Sequence, residues 1–202
     1  MTDGEALKVV GPLTSYEISQ FAAQVRSVFD LKPDTPVKMA EFLELVFQHV
    51  LPDCHIEVEP DEEMPGVDGA TLIGSPVIKF RATTYDDLRR EDPEARFTAA
   101  HEIGHALLHS TRPLYHASRS AYVKETDPEW QADQFAAAFL MPEAAFRRCG
   151  TAGEAMQLFK CADHHVRDRA TALNHRFGGI QLELNLFPLS TKKEERDHSR
   201  PS

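Results

Sequence analysis

His101-Glu102-Ile103-Gly104-His105, inside the longer run from Arg96 to His109 (RFTAAHEIGHALLH), is the stretch on which the reading of this chain turns. Asp92-Pro93-Glu94 comes just before it and carries helix-start signals: an N-cap Asp, a Pro at the first helical position and an acid in the first turn. A helix is therefore predicted from about Pro93 to His109, ending before Pro113. Histidines four residues apart lie one turn up on the same face, so both imidazoles can reach one ion at about 2.0 to 2.1 Å. Glu102 is rotated roughly 100° from His101. That rotation keeps it off the ion and beside an attacking water, where a general base belongs. An ion held there would lower the pKa of water toward about 7 and polarise a carbonyl. Phe97, Ala100, Gly104, Leu107 and Leu108 give the helix an apolar covering on its other faces. The stripe His101, His105, His109 is then expected to point into a cleft; the alternative is a helix with solvated histidines.

A catalytic ion needs a third protein ligand and an open position. The metzincin spacing would place a third His at position 111, which is Thr111, so that class is excluded. Glu129 is the better candidate, 24 residues after His105 and at the start of a second helix announced by Asp127-Pro128-Glu129. This helix is predicted from about Pro128 to Leu140, stopping at Pro142. Without the upstream motif, Glu129 would read as an acid satisfying the helix dipole. Asp133 lies one turn later on the same face and suits a supporting role, accepting the free ring N–H of a ligating His. His109 continues the stripe two turns from His101 and reads as a supporting or core histidine rather than a ligand. Tyr115, His116 and Tyr122, in an irregular stretch between the two helices, are candidates for oxyanion donors or plain loop residues.

Working outward, Ser15 to Phe29 reads as an amphipathic helix, with Ile18, Phe21, Ala22, Val25 and Phe29 at helical spacing. A second helix is predicted to start near Pro36, to carry Met39, Phe42, Leu43, Val46, Phe47 and Val50, and to end at Pro52. His55 to Glu59 alternates as a strand, and Gly66 to Phe80 offers two short strands broken by Gly74 and Pro76. These imply a small antiparallel sheet. After Pro142 come two or three short helical segments through Asn174, then a strand-like Ile180 to Phe187. Thr191 to Ser202 is polar, charged and expected to be disordered.

The blocks Arg96 to His109 and Glu129-Trp130-Gln131-Ala132-Asp133-Gln134-Phe135-Ala136-Ala137-Ala138-Phe139-Leu140-Met141-Pro142 resemble the ImmA/IrrE family of metallopeptidases. The resemblance in order of elements covers roughly Met39 to Asn174. It implies that His101, His105 and Glu129 bind a metal, zinc or alternatively manganese, and that Glu102 is catalytic. It implies a helix-turn-helix transcriptional repressor as substrate, whose cleavage derepresses DNA-damage, mobile-element or antiphage genes. Leu158 to Asn174 is similar to the helix-turn-helix-like pair that follows the peptidase helices in that family, with a turn around Cys161 to Asp163 and a helix bearing Arg167 and Arg169. The implied fold class is α+β, a zincin-like domain of the gluzincin type. Residues 1–142 would be the metallopeptidase core with its N-terminal helices, 143–190 a helical subdomain packed on it, and 191–202 a tail.

Composition limits the alternatives. The chain has 202 residues, 42% hydrophobic and 27% charged, with a formal charge of −10. That charge argues against a nucleic-acid-binding surface over the whole protein. From Glu143 to Gly178, however, Arg147, Arg148, Lys160, Arg167, Arg169 and Arg176 face only Glu143, Glu154, Asp163 and Asp168. This locally basic region leaves a nucleic-acid trigger open, although packing against the peptidase body is the simpler reading of the helices. Cys54, Cys149 and Cys161 form no CxxC pair, so neither a disulfide framework nor a cysteine metal site is suggested. No apolar run or signal-peptide layout is present, and a soluble cytoplasmic protein is expected. The rival class is a regulator that binds a repressor or DNA through a metal-stabilised fold without cutting. Glu102 argues against it, because a structural metal site gains nothing from an adjacent base.

Overall fold

Thr14 opens the first long helix through a reciprocal capping box in which its hydroxyl accepts from Glu17 N–H and the Glu17 carboxylate accepts from Thr14 N–H. The computed structural model describes residues 7–47, 54–72, 77–109, 115–117 and 123–178. In chain order these form β1 (Leu7–Val9), α1 (Ser15–Val28), α2 (Met39–Glu41), β2 (His55–Glu59), β3 (Gly69–Leu72), β4 (Val77–Arg81) and α3 (Ala82–Arg89). They continue with α4 (Pro93–His109), β5 (Tyr115–Ala117), α5 (Pro128–Leu140), α6 (Glu143–Phe146), α7 (Ala152–Phe159) and α8 (Asp163–Ala172). The architecture is α+β.

The two helices with Asp-Pro-Glu starts have the predicted bounds. Asp92 accepts from the N–H groups of Glu94 and Ala95, and Asp127 accepts from Glu129 N–H. Helices α4 and α5 pack tightly because their contact is built from small residues. A Cβ added to Gly104 would lie 3.2 Å from both Cα and O of Ala132, so no side chain fits between the backbones. The close approach brings Glu129, one turn before Ala132, up to the histidine face of α4. Phe135 and Phe139 extend the α5 side of the core, and Phe42 packs on Phe139 at 5.3 Å.

The predicted second helix starts at Met39 rather than near Pro36, and from Phe42 to Phe47 it widens into a π-helical segment. The wider turn of i→i+5 hydrogen bonding brings Phe42 and Phe47 toward one side, 6.4 Å apart and both buried. An α-helical period would separate them. Residues 48–53, with the predicted Val50 and Pro52, lie outside the described residues.

The expected antiparallel sheet is mixed. Strand order is β2-β4-β3, with β3 antiparallel and β2 parallel to β4. The chain reverses between β2 and β3 and again between β3 and β4, so β4 returns in the direction of β2. Helix α3 was not signalled by the sequence; it buries Thr84, Tyr85 and Leu88. The stretch between α4 and α5, expected to be irregular, contains β5, which pairs antiparallel with β1 in the register Leu7↔Ala117. This N-terminal strap continues alongside α5: Val10 N–H donates to Thr126 O and Leu13 N–H to Glu125 O.

The C-terminal helices share one contiguous core with the rest, through Phe146, Phe159, Val166 and Ala170. Arg96 of α4 is fully buried, donates to the carbonyls of Val37, Phe159 and Lys160, and pairs with Glu91. It thereby supplies partners to the C-terminal carbonyls of α7. Lys160 ends α7 in the left-handed region at φ 55°. Arg169 is also buried, donating to Met141 O, and burial pushes its pKa down to about 10. It is therefore not available to DNA or a partner surface. Arg167 is exposed but paired with Asp163 at 2.6 Å. This helix is packed on the body through Arg169 and Val166. The predicted strand Ile180 to Phe187 and the tail lie outside the described residues. No helix among the described residues is long and apolar enough to cross a membrane.

Candidate metal centre

Helix α4 presents His101 and His105 on one face, and α5 brings Glu129 against them. His101 Nε2 and His105 Nε2 are 2.9 Å apart, and both face Glu129 Oε2, at 3.3 and 3.4 Å. These three side chains form one of two groups of His and acid residues, among the described residues, whose ligand atoms lie within 4.8 Å of one another. Four-coordinate zinc sites with bonds of about 2.0–2.1 Å separate their donor atoms by about 3.3 Å. The donor types and spacing therefore fit a zinc-like ion, with two imidazoles and one carboxylate leaving a fourth position free.

The rear nitrogen of each imidazole is held as well. His101 Nδ1 lies 2.8 Å from Asp133 Oδ1, the contact expected of an acid one turn beyond Glu129. His105 is held by a longer relay. Gln131 is buried and uses both amide N–H groups on backbone carbonyls, those of Gly11 at 3.0 Å and Glu125 at 2.6 Å. Its Oε1 consequently faces His109 Nε2 at 3.1 Å, where it can only accept. In neutral His109 the proton then sits on Nε2, and Nδ1 accepts from His105 Nδ1–H at 3.0 Å. The outcome is a lone pair on His105 Nε2, aimed at His101 and Glu129. In this arrangement His109 stands behind His105, against its rear nitrogen. Replacing His109 by Phe preserves the ring volume and removes the acceptor; metal affinity is expected to fall about 10- to 100-fold. Zinc competition titration with a chromogenic chelator measures it. Unchanged affinity would mean that the relay does not orient His105.

Glu102 is 5% exposed and sits under strand β3. The Thr71 hydroxyl is 2.7 Å from Glu102 Oε2. Gly69, two residues earlier, gives the side chain its room, since a Cβ there would come within 2.9 Å of Glu102 Cγ. Burial raises the Glu102 pKa, against the lowering effects of the Thr71 hydrogen bond and of His101 and His105. A raised carboxyl pKa beside two imidazoles brings the group toward the range where a carboxylate can take a proton and return it. For His101, burial opposes the charged form, but hydrogen bonds to Asp133 and Glu129 prevail and raise its pKa to about 9. Those same histidine contacts hold Glu129 well below the usual carboxylate range.

Below about pH 9 the metal-free His101 carries a proton that an ion must displace, so apparent affinity is expected to rise about tenfold per pH unit toward that value. Calorimetry in buffers of different ionisation enthalpy checks this through the proton released on zinc binding. A pH-independent affinity without proton release would contradict it.

Of the other candidates, Tyr115 and His116 have their backbone in β5, while their side chains and all of Tyr122 lie outside the described residues. The three cysteines are buried, and burial pushes the Cys161 thiol up to about 12. Gln131 and Thr71 are the site residues that the sequence reading missed. Gln131 left one signal: it sits on the same face as Phe135, one turn on, where a polar residue among apolar ones asks for a buried partner.

A helix pair that aligns two imidazoles with a carboxylate, beside a buried acid, defines a candidate metal-dependent hydrolase. Residues 88–162 match the Peptidase_M78 family model, described as the IrrE N-terminal-like domain. The match supports an ImmA/IrrE family metallopeptidase, and its span contains the whole donor set, Glu102 and the helix turn before α8. No curated protein and no solved structure matches the chain.

Proposed function

We propose that this protein is a site-specific zinc endopeptidase that cleaves a helix-turn-helix transcriptional repressor. The observation that carries the peptidase reading is the convergence of His101 Nε2, His105 Nε2 and Glu129 Oε2 within 2.9 to 3.4 Å, with the Glu102 carboxyl beside them. Bound in this cluster, a divalent ion would supply Lewis acidity for water and for a substrate carbonyl. Glu102, as the carboxylate, takes the proton of the attacking water and passes it to the leaving amine, so the carboxylate is regenerated when the amide C–N bond breaks. Thr71 holds one carboxyl oxygen, and burial keeps the proton affinity high. Asp133 and the Gln131–His109 pair hold the two imidazoles in the ligating tautomer and orientation.

Strand β3 is an edge strand of the three-stranded sheet and lies against Glu102. An extended substrate segment adding to that edge would pass its backbone by the base. Such a mode suits a flexible stretch and leaves compact folded proteins uncut. The repressor as substrate rests on the family resemblance of the two helix blocks, as does the derepression of stress, mobile-element or antiphage genes.

The test pairs the purified chain with the helix-turn-helix protein encoded beside it, followed by gel and intact-mass analysis with and without single-stranded DNA. One cut is expected, abolished by chelator, with unrelated folded proteins intact. Broad digestion of casein would indicate a general peptidase. A stable stoichiometric complex with no cut under either condition would favour a non-cutting regulator.

A further inference from the structure

The first turns of α4 and α8 assemble a second cluster of the same composition as the first: Glu94, His164 and His165. His164 Nε2 lies 3.5 Å and His165 Nε2 3.1 Å from one carboxylate oxygen, Glu94 Oε2. In the first cluster the corresponding separations, His101 Nε2 and His105 Nε2 from Glu129 Oε2, are 3.3 and 3.4 Å. Both sets bracket the spacing of about 3.3 Å required around a four-coordinate ion. We propose that Glu94, His164 and His165 form a second transition-metal site, which takes zinc and clamps the start of the HExxH helix to the last described helix.

The placement of the side chains supports an ion more than a simple salt bridge. Adjacent residues on a helix project roughly 100° apart, yet the His164 and His165 rings lie 3.9 Å apart and point Nε2 at the same oxygen. One divalent ion accommodates two neutral imidazoles and a carboxylate together. His165 is also fixed in place: its ring stacks on Phe97 at 3.6 Å with an interplanar angle of 6°, and its side chain is 12% exposed. One of the three donors is therefore preorganised before any ion arrives. Two imidazole nitrogens and one carboxylate suit a borderline ion such as zinc, whereas magnesium and calcium prefer all-oxygen sets.

The two clusters share a helix face. Glu94 precedes His101 by two turns, about 10 Å along the axis. Phe97, His164 and His165 line one end of a cleft of about 520 Å³ that reaches Asp133, the residue behind His101. His164 is 59% exposed, against 18% and 7% for His101 and His105, so this site is expected to bind more weakly than the one at Glu129.

Zinc content of the untagged full-length chain tests the proposal, by equilibrium dialysis against graded free zinc followed by elemental analysis. The native chain is expected to take up two ions in two affinity classes. His164→Ala and Glu94→Gln alter side chains that are more than half exposed, and each should lose the weaker class alone. Glu129→Ala should lose the tighter class alone. Saturating zinc should also raise the melting temperature of Glu129→Ala and not that of the Glu129→Ala, His164→Ala double variant, while millimolar magnesium raises neither. A native chain with a single ion, retained in His164→Ala and lost in Glu129→Ala, would overturn the second site and leave the first standing. A single ion lost in His164→Ala and retained in Glu129→Ala would do the reverse. Two ions retained in both His164→Ala and Glu94→Gln would also overturn the second site.

Discussion

Glu102→Gln is expected to lower peptide-bond cleavage by about 10²- to 10⁴-fold, the usual contribution of a positioned general base, while zinc content stays at the native level. The reason lies in the separation of roles along α4. His101 and His105 share a face, whereas Glu102 turns toward β3, where Thr71 Oγ1 reaches its carboxyl at 2.7 Å. Gln keeps the size of the side chain and can still receive the Thr71 hydrogen bond through its carbonyl oxygen, so the fold and the ligands have no cause to move. What it cannot do is accept a proton from water. Single-turnover kinetics on the repressor together with elemental analysis decide the point. If the variant loses its zinc, Glu102 is a ligand and the assigned role is wrong.

Glu129→Ala should lower metal occupancy strongly. It removes the carboxylate that both Nε2 atoms face, at 3.3 and 3.4 Å, and leaves two imidazoles. Asp133→Ala, by contrast, removes a partner 2.8 Å from the rear nitrogen of His101, and its cost is expected to be about 10- to 100-fold in affinity. The order of the two losses is the informative result. Retention of full zinc and activity by Glu129→Ala would place the third ligand elsewhere, with Asp133, Glu125 and His116 as the next residues to replace.

What the sequence made legible follows the range of the forces involved. Helices α4 and α5 were readable to their ends because their start signals are local: an Asp side chain caps N–H groups two or three residues on. The meeting of His101, His105 and Glu129 was readable because motif spacing and family resemblance agreed. The sheet was not, since the parallel pairing of β2 with β4 depends on where the intervening β3 docks. Strands β1 and β5 have three residues each and pair across more than 100 positions, so neither carries a periodic signal. The π-helical register at Phe42–Phe47 was not readable either: it goes with the packing of Phe42 on Phe139, about 100 residues away. The packing expected of this helix takes in Arg169 itself: with Val166 and Ala170 it completes the buried face of α8 at three- and four-residue spacing. Charge alone suggested an exposed side chain, but Met141 O gives this guanidinium an internal partner. Gln131 gains its role from Gly11, 120 residues away, and Thr71 from Glu102, 31 residues on, and only the folded structure connects them.

Zinc-edge anomalous diffraction from crystals of the zinc-loaded Glu102→Gln protein tests the metal centre most directly. The account predicts a peak about 2.0 to 2.2 Å from His101 Nε2, His105 Nε2 and a Glu129 oxygen, with Asp133 still on His101 Nδ1 and residue 102 outside the coordination sphere. A map without density at this cluster, or with zinc held there by a set that omits Glu129, would contradict it.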